Sequence, residues 1–159
     1  MAIKIGDKVP SVPLTHMTAD GPKEITSDEL FAGKKVVLFA LPGAFTPTCS
    51  ASHLPGFVVN ADKIKAKGAD EIVCLSVNDA FVMDAWGRAQ NAEEIRMVAD
   101  GNADFAKAVG LELDLVARGM GVRLQRFAMI VEDGVVKHLN VEVPGKFEIS
   151  SAETMMELL

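Results

Sequence analysis

Cys49 stands third in what reads as the opening turn of a helix, and that position makes it a candidate nucleophile. The segment Leu41-Pro42-Gly43-Ala44-Phe45-Thr46-Pro47-Thr48-Cys49 leaves an apolar run through a Pro-Gly break. Thr46 suits the N-cap, and Pro47 suits the first helical position, where its missing N–H has no partner to lose. At the third position, unpaired N–H groups and the positive end of the helix dipole favour an anion. A thiolate is such an anion, and it is the nucleophilic form of cysteine. Thr46 has two readings: a plain helix cap, or a hydroxyl set beside the sulfur and an incoming oxygen.

Few other residues carry chemistry. The chain has only two cysteines, Cys49 and Cys74, too few for a disulfide framework in 159 residues. Cys74 sits inside the apolar run Ile72-Val73-Cys74-Leu75-Ser76-Val77, where cysteine serves well as a small core residue. It is a doubtful resolving thiol, because a disulfide needs Cα atoms within about 7 Å and a buried strand does not move easily. His16, His53 and His138 are isolated and form no metal-ligand pattern with the cysteines. His53 follows Cys49 by one helical turn, a spacing that shares a face. A Cys–His pair would suit a protease, yet no third group is placed to orient it, so His53 reads as packing beside the site. Arg118, Arg123 and Arg126 are equivalent candidates for a cation near the sulfur. A general thiol–disulfide oxidoreductase wants Cys-x-x-Cys, and here Thr46 and Ser52 fill those positions.

The elements that must position Cys49 follow from periodicity. Val36 to Leu41 is an apolar run of strand length, as in a parallel sheet covered on both faces. Leu54, Phe57, Val58, Ala61 and Ile64 recur at helical spacing, so a helix runs from Thr46 to Lys67-Gly68 with a kink at Pro55-Gly56. A strand over 72–77 precedes a helix capped by Asn78 or Asp79 and carrying Phe81, Val82, Ala85 and Trp86. Arg96 to Ala99 is a short strand and Ala103 to Val109 a short helix closed by Gly110. Segments 127–131 and 135–141 flank Asp133-Gly134, a hairpin signal. Ser150 or Ser151 starts a final helix. The start of the chain, punctuated by Pro10, Pro13, Gly21 and Pro22, reads as an extended arm with a turn. Parallel βαβ units closed by an antiparallel hairpin predict a single α/β domain over 1–159, thioredoxin-like, with a central mixed sheet flanked by helices. Chemistry in such sheets sits beyond the carboxyl ends of the strands, where the 42–49 loop falls.

The run Pro42-Gly43-Ala44-Phe45-Thr46-Pro47-Thr48-Cys49 resembles the peroxiredoxin active-site signature: proline, three residues, threonine, two residues, cysteine. With His53-Leu54-Pro55-Gly56-Phe57, Cys74 to Val82 and Arg126-Phe127-Ala128-Met129, it resembles the peroxiredoxin-5 subfamily, which includes the plant type II enzymes. The resemblance implies Cys49 as the peroxidatic cysteine and Thr46 as a hydrogen-bond partner of thiolate and peroxide. It implies Pro42 as a shield of the pocket and Arg126 as the arginine that holds thiolate and peroxide oxygens. The implied activity reduces hydrogen peroxide and organic hydroperoxides through a Cys49 sulfenic acid, without metal, haem or other cofactor. Some relatives carry a resolving cysteine near the C-terminus; Glu148-Ile149-Ser150-Ser151 has none. That departure favours regeneration by glutathione with glutaredoxin, or by thioredoxin. The resemblance also implies a homodimer, with Phe45 and Phe81 as candidates for its contact. The alternative function is a redox sensor that passes oxidation to a partner protein through Cys49.

Composition narrows the partners. A net charge of −6 lacks the basic footprint of a nucleic-acid binder. The longest apolar runs are too short to cross a membrane, and the first residues show neither an apolar signal core nor an Arg-rich amphipathic stretch. The expectation is a cytoplasmic protein.

Overall fold

Alternation along one strand explains how the sheet is covered. In β3 (Lys35–Ala40), Val36, Leu38 and Ala40 face one cluster of buried side chains, while Val37 and Phe39, with Leu41 after them, face another. All are 0% exposed, so the run is apolar at every position rather than at alternate ones. The computed structural model describes residues 2–159.

β3 pairs in parallel with β4 (Glu71–Ser76), and β4 with β5 (Arg96–Ala99). The hairpin β8 (Phe127–Glu132) and β9 (Val135–Val141) adds antiparallel to the other side of β3. Its turn residues Asp133 and Gly134 have φ of 47° and 82°, as a type I′ turn requires. Two further strands, β1 (Pro13–Thr18) and β2 (Gly21–Thr26), complete a seven-stranded sheet in the order β2-β1-β5-β4-β3-β8-β9. One face is covered by α1 (Ser27–Phe31) and α4 (Asp104–Val109), through Leu30, Phe31, Phe105 and Val109. The other is covered by α2 (Leu54–Ala66), α3 (Ala80–Ala89) and α5 (Ala152–Leu158), through Phe57, Ile64, Trp86 and Met155. This mixed, helix-flanked sheet is the thioredoxin-like single domain that the element order predicts. No helix among the described residues is long and apolar enough to cross a membrane.

Three segments differ from expectation. The opening arm is a hairpin, β1–β2, that joins the sheet by pairing Thr15 with Ala99 and His16 with Val98. Of its strand residues only Leu14 and Ile25 are buried, so the apolar alternation that marks a strand is almost missing. Residues 112–124, not assigned from sequence, form a separate hairpin of β6 (Glu112–Leu115) and β7 (Gly121–Leu124). Finally, the helix kink lies earlier than Pro55-Gly56. Pro47 and Thr48 are helical, Cys49–His53 is a π-helical turn, and α2 follows. Proline explains the shift: Pro55 cannot donate to the residue four back, and the wide turn, with Leu54 N–H on the Cys49 carbonyl, absorbs that gap.

The ends of β3 and β4 meet at the loop that carries Cys49. Asp79, not Asn78, caps α3, accepting from Val82 N–H at 2.8 Å. Asn78 instead turns back on the loop: its Oδ1 accepts from Ala44 N–H at 3.0 Å and from the Ser76 hydroxyl at 2.7 Å. On the far side, Trp86 Nε1 donates to Ser50 Oγ at 3.0 Å, tying α3 to the turn that holds the cysteine. Asn78→Ala leaves the Ala44 N–H without its acceptor and the Ser76 hydroxyl with only the Leu41 carbonyl at 3.2 Å, and is expected to cost about 1–3 kcal/mol by urea unfolding.

Candidate active site

The structure distinguishes the three arginines. Arg126, the residue just before β8, brings Nη2 to 3.1 Å from Cys49 Sγ and donates to it. Arg123 does not reach the sulfur. Its Nη1 donates to the Pro42 carbonyl at 3.1 Å and its Nε to the Met120 carbonyl at 2.9 Å, so it braces the loop. Arg118 lies on the wall of the neighbouring cavity.

Arg126 is itself held. Its Nη1 donates to His53 Nδ1 at 2.8 Å, and His53 Nε2–H donates to the Ser150 carbonyl at 2.9 Å. The two bonds fix the tautomer: Nδ1 must carry the lone pair and Nε2 the proton. Burial first, and the Arg126 charge second, lower the His53 pKa to about 3, so the ring is neutral. The ring packs between Phe39 and Phe147 at centroid distances of 5.1 Å and 4.9 Å. His53 is therefore not a base for Cys49, since its free nitrogen faces the guanidinium. Its spacing from Cys49 was visible in sequence; its partner, 73 residues further on, was not.

Cys49 is 1% exposed, at the third position of the helical turn beginning at Pro47. An N–H in that first turn has no acceptor one turn back. Thr46 starts this turn through its backbone, whose carbonyl accepts from Ser50 N–H at 2.9 Å. Its hydroxyl does not cap the helix; it donates to the Gly43 carbonyl at 2.6 Å. With its hydrogen so committed, Thr46 Oγ1 keeps only lone pairs to offer. Phe45, before it, takes a left-handed φ of 63° and lies 57% exposed, its ring 6.4 Å from that of Trp86. A cavity of about 480 Å³ opens over Pro42, Thr46 and Arg126 and runs between Leu113, Met120 and Val143.

Cys74 is wholly buried in β4, with both thiols free. Burial, and to a lesser extent the Cys49 sulfur, push its thiol well above the ordinary cysteine value. Among the described residues no group of three or more His, Cys, Asp or Glu is placed to hold a metal ion.

The Redoxin family model matches residues 4–156. Peroxiredoxin-2E-2, chloroplastic, of Oryza sativa subsp. japonica is 50% identical, over 99% of this chain and 72% of its own length. Peroxiredoxin-2D of Arabidopsis thaliana is 46% identical, over 99% of this chain and 98% of its own. The chain belongs to the peroxiredoxin family. Among solved peroxiredoxins, reduced Prx3 of Vibrio vulnificus in complex with hydrogen peroxide is 58% identical, with a TM-score of 0.96 and 98% of each chain covered. Peroxiredoxins are thiol peroxidases, and this chain is an enzyme of that class.

Two measurements check the site. A Cβ at Gly43 would stand 2.8 Å from Arg123 Nη1 and 3.1 Å from Thr46 Cγ2. Gly43→Ala is therefore expected to displace the Arg123 brace, cost about 1–3 kcal/mol in thermal or urea unfolding, and slow Cys49 oxidation. His53 binds a proton in the unfolded chain below its ordinary 6.5 but not in the folded chain until about 3. Its contribution to stability is thus complete above the unfolded value and is lost as pH falls through that window. Urea titrations from pH 7 to pH 5 should show wild type losing stability more steeply than His53→Gln.

Proposed function

We propose that Cys49 reduces peroxides as a thiolate held by Arg126, with Thr46 and Pro42 forming the wall against which the substrate sits. The 3.1 Å contact from Arg126 Nη2 to Cys49 Sγ, at the edge of a cavity lined by Thr46 and Pro42, carries the reading. The sulfur attacks one peroxide oxygen and the O–O bond breaks. The attacked oxygen stays on sulfur as Cys49 sulfenic acid, and the other leaves as hydroxide or alkoxide, which takes a proton to become water or an alcohol. Charge spreads over both oxygens as the bond breaks. Arg126 offers fixed N–H donors to that charge, and the unpaired N–H groups of the first helical turn add theirs. Thr46, already a donor to Gly43, accepts a hydrogen bond from the peroxide O–H. The apolar cavity side chains Leu113, Leu115, Met120, Val143 and Pro144 leave room for an alkyl group, which supports organic hydroperoxides beside hydrogen peroxide.

The sulfenic acid is then reduced by an external thiol: glutathione with glutaredoxin, or thioredoxin. A thiol displaces water and forms a mixed disulfide, and a second thiol releases Cys49. The support is the setting of Cys74, closed inside β4 and held protonated, together with the lack of any cysteine beyond it. A homodimer is proposed on Phe45 and Phe81, 57% and 64% exposed. The Ala44–Asn78 hydrogen bond sets the loop of the first beside the helix start of the second.

Turnover of tert-butyl hydroperoxide with glutathione and glutaredoxin, and separately with thioredoxin, tests both halves. Cys49→Ser should be inactive and Cys74→Ser should match wild type with at least one reductant. Residual turnover by Cys49→Ser would remove the nucleophile from the scheme. Loss of turnover in Cys74→Ser would return the second cysteine to the cycle.

A further inference from the structure

Glu142 is a buried acid that the scheme above does not use. It follows directly on β9 and is 4% exposed. Among the described residues it has no cation as an ion-pair partner. Its charge is met instead by one turn of backbone. Glu142 Oε2 accepts from the N–H groups of Glu148, Ile149 and Ser150 at 2.9, 2.8 and 2.8 Å, and from Ser150 Oγ at 2.7 Å. Three successive N–H groups converging on one oxygen form an anion nest, and hydrogen bonds to an ionised acceptor are among the stronger ones. Burial alone would raise the carboxyl's pKa. The Ser150 hydroxyl and the three N–H groups outweigh it and hold the group below its ordinary value.

What the nest holds in place is a carbonyl. Ser150 is 0% exposed, and its C=O is the acceptor for His53 Nε2–H. Glu142 is also tied to Arg126 directly, since its N–H donates to the Arg126 carbonyl at 2.9 Å. Phe147, inside the gathered loop, lies 4.9 Å from the His53 ring and has Arg126 Cζ 5.8 Å from its own centroid. Glu142 thus touches Arg126 through the backbone on one side and through Ser150 and His53 on the other.

We propose that Glu142 is a positioning residue for peroxide reduction: its carboxylate gathers the 148–150 turn, so that the Ser150 carbonyl orients His53 and His53 holds Arg126 against the Cys49 sulfur. This rests on the roles of Cys49 and Arg126 proposed above. The physical point is the tautomer. An imidazole whose Nε2–H loses its acceptor is free to turn or to move its proton to Nδ1. That proton would then face the Arg126 Nη1–H, donor against donor. Arg126 would lose the contact that fixes one edge of its guanidinium, and the other edge would drift from the sulfur.

Two readouts test it. The first is the rate constant for oxidation of reduced protein by hydrogen peroxide, compared in wild type, Glu142→Ala, Glu142→Gln, Arg126→Ala and the Glu142→Ala/Arg126→Ala double variant. Glu142→Ala is expected to slow oxidation roughly tenfold to a hundredfold, the scale on which misplacement of a catalytic group acts. Glu142→Gln, whose amide oxygen can occupy the Oε2 position, should recover most of the loss. In the Arg126→Ala background the Glu142→Ala change should cost nothing more, because the two act as one unit. Additive losses would overturn the proposal.

The second readout needs no turnover: long-range ¹H–¹⁵N spectra of the His53 ring. Wild type should show the Nε2–H tautomer alone, and Glu142→Ala should show a mixture. If Glu142→Ala does not fold, Glu142→Asp takes its place in both readouts. Its shorter side chain cannot reach all four donors. Unchanged His53 signals in a folded variant would overturn the proposal. Wild-type protein that peroxide does not oxidise at Cys49 would sink the peroxidase reading, while the spectra still decide whether Glu142 governs His53.

Discussion

A guanidinium keeps its full charge for a thiolate when its other edge is held by something that does not compete for that charge. Here that holder is a neutral histidine. His53 offers Arg126 one lone pair at 2.8 Å and leaves Nη2 to reach Cys49 at 3.1 Å. A carboxylate in the same place would also hold the arginine but would neutralise it. The chosen partner keeps the full positive charge beside the sulfur. Much of the surrounding structure serves that arrangement. Phe39 and Phe57 stack at 4.0 Å, with His53 against both rings. The wide turn of Cys49–His53 sets cysteine and histidine on the same side of the sheet.

The site is assembled from both ends of the chain's topology. Cys49 arrives from the carboxyl end of β3, and Arg126 from the start of β8, its antiparallel neighbour, in which Phe127 sits opposite Ala40. Parallel β4 brings Asn78 to the same edge, and Asn78 holds the loop by Ala44 N–H. The last helix contributes through the residues just before it. Ser150 accepts from His53, and Ser151 caps α5 by accepting from Thr154 N–H at 3.2 Å. Adjacent serines thus split two tasks that either could do: one ends the site and the other begins a helix.

Local chemistry in the sequence was enough to find the nucleophile. Pro47 and Thr48 had to open a helix, and Cys49 had to fall in its first turn. Strands β3, β4 and β8 were equally plain, because strands buried on both faces write continuous apolar runs. The strands β1 and β2 were not plain. Their buried positions are few, and what makes them strands is pairing with each other, with β1 alone joining β5 in a contact across more than 80 residues. Arg126 was reachable only through resemblance to a family. Three arginines lie within nine positions, and a cation's partner across the fold leaves no local mark. Glu142 left none either: an acid after a strand looks like an exposed charge until the turn that it gathers is in view.

The neutrality of His53 has a wider effect on how the sulfur is surrounded. Arg126 keeps its charge throughout the range in which proteins work, and His53 stays uncharged until about pH 3. The nest keeps Glu142 ionised below the usual carboxylate range, and burial keeps Cys74 un-ionised above the usual thiol range. The nearest groups therefore present a constant electrostatic background. Acid or alkali therefore does not act on Cys49 through a changing neighbourhood. The groups that surround the sulfur are insulated from pH.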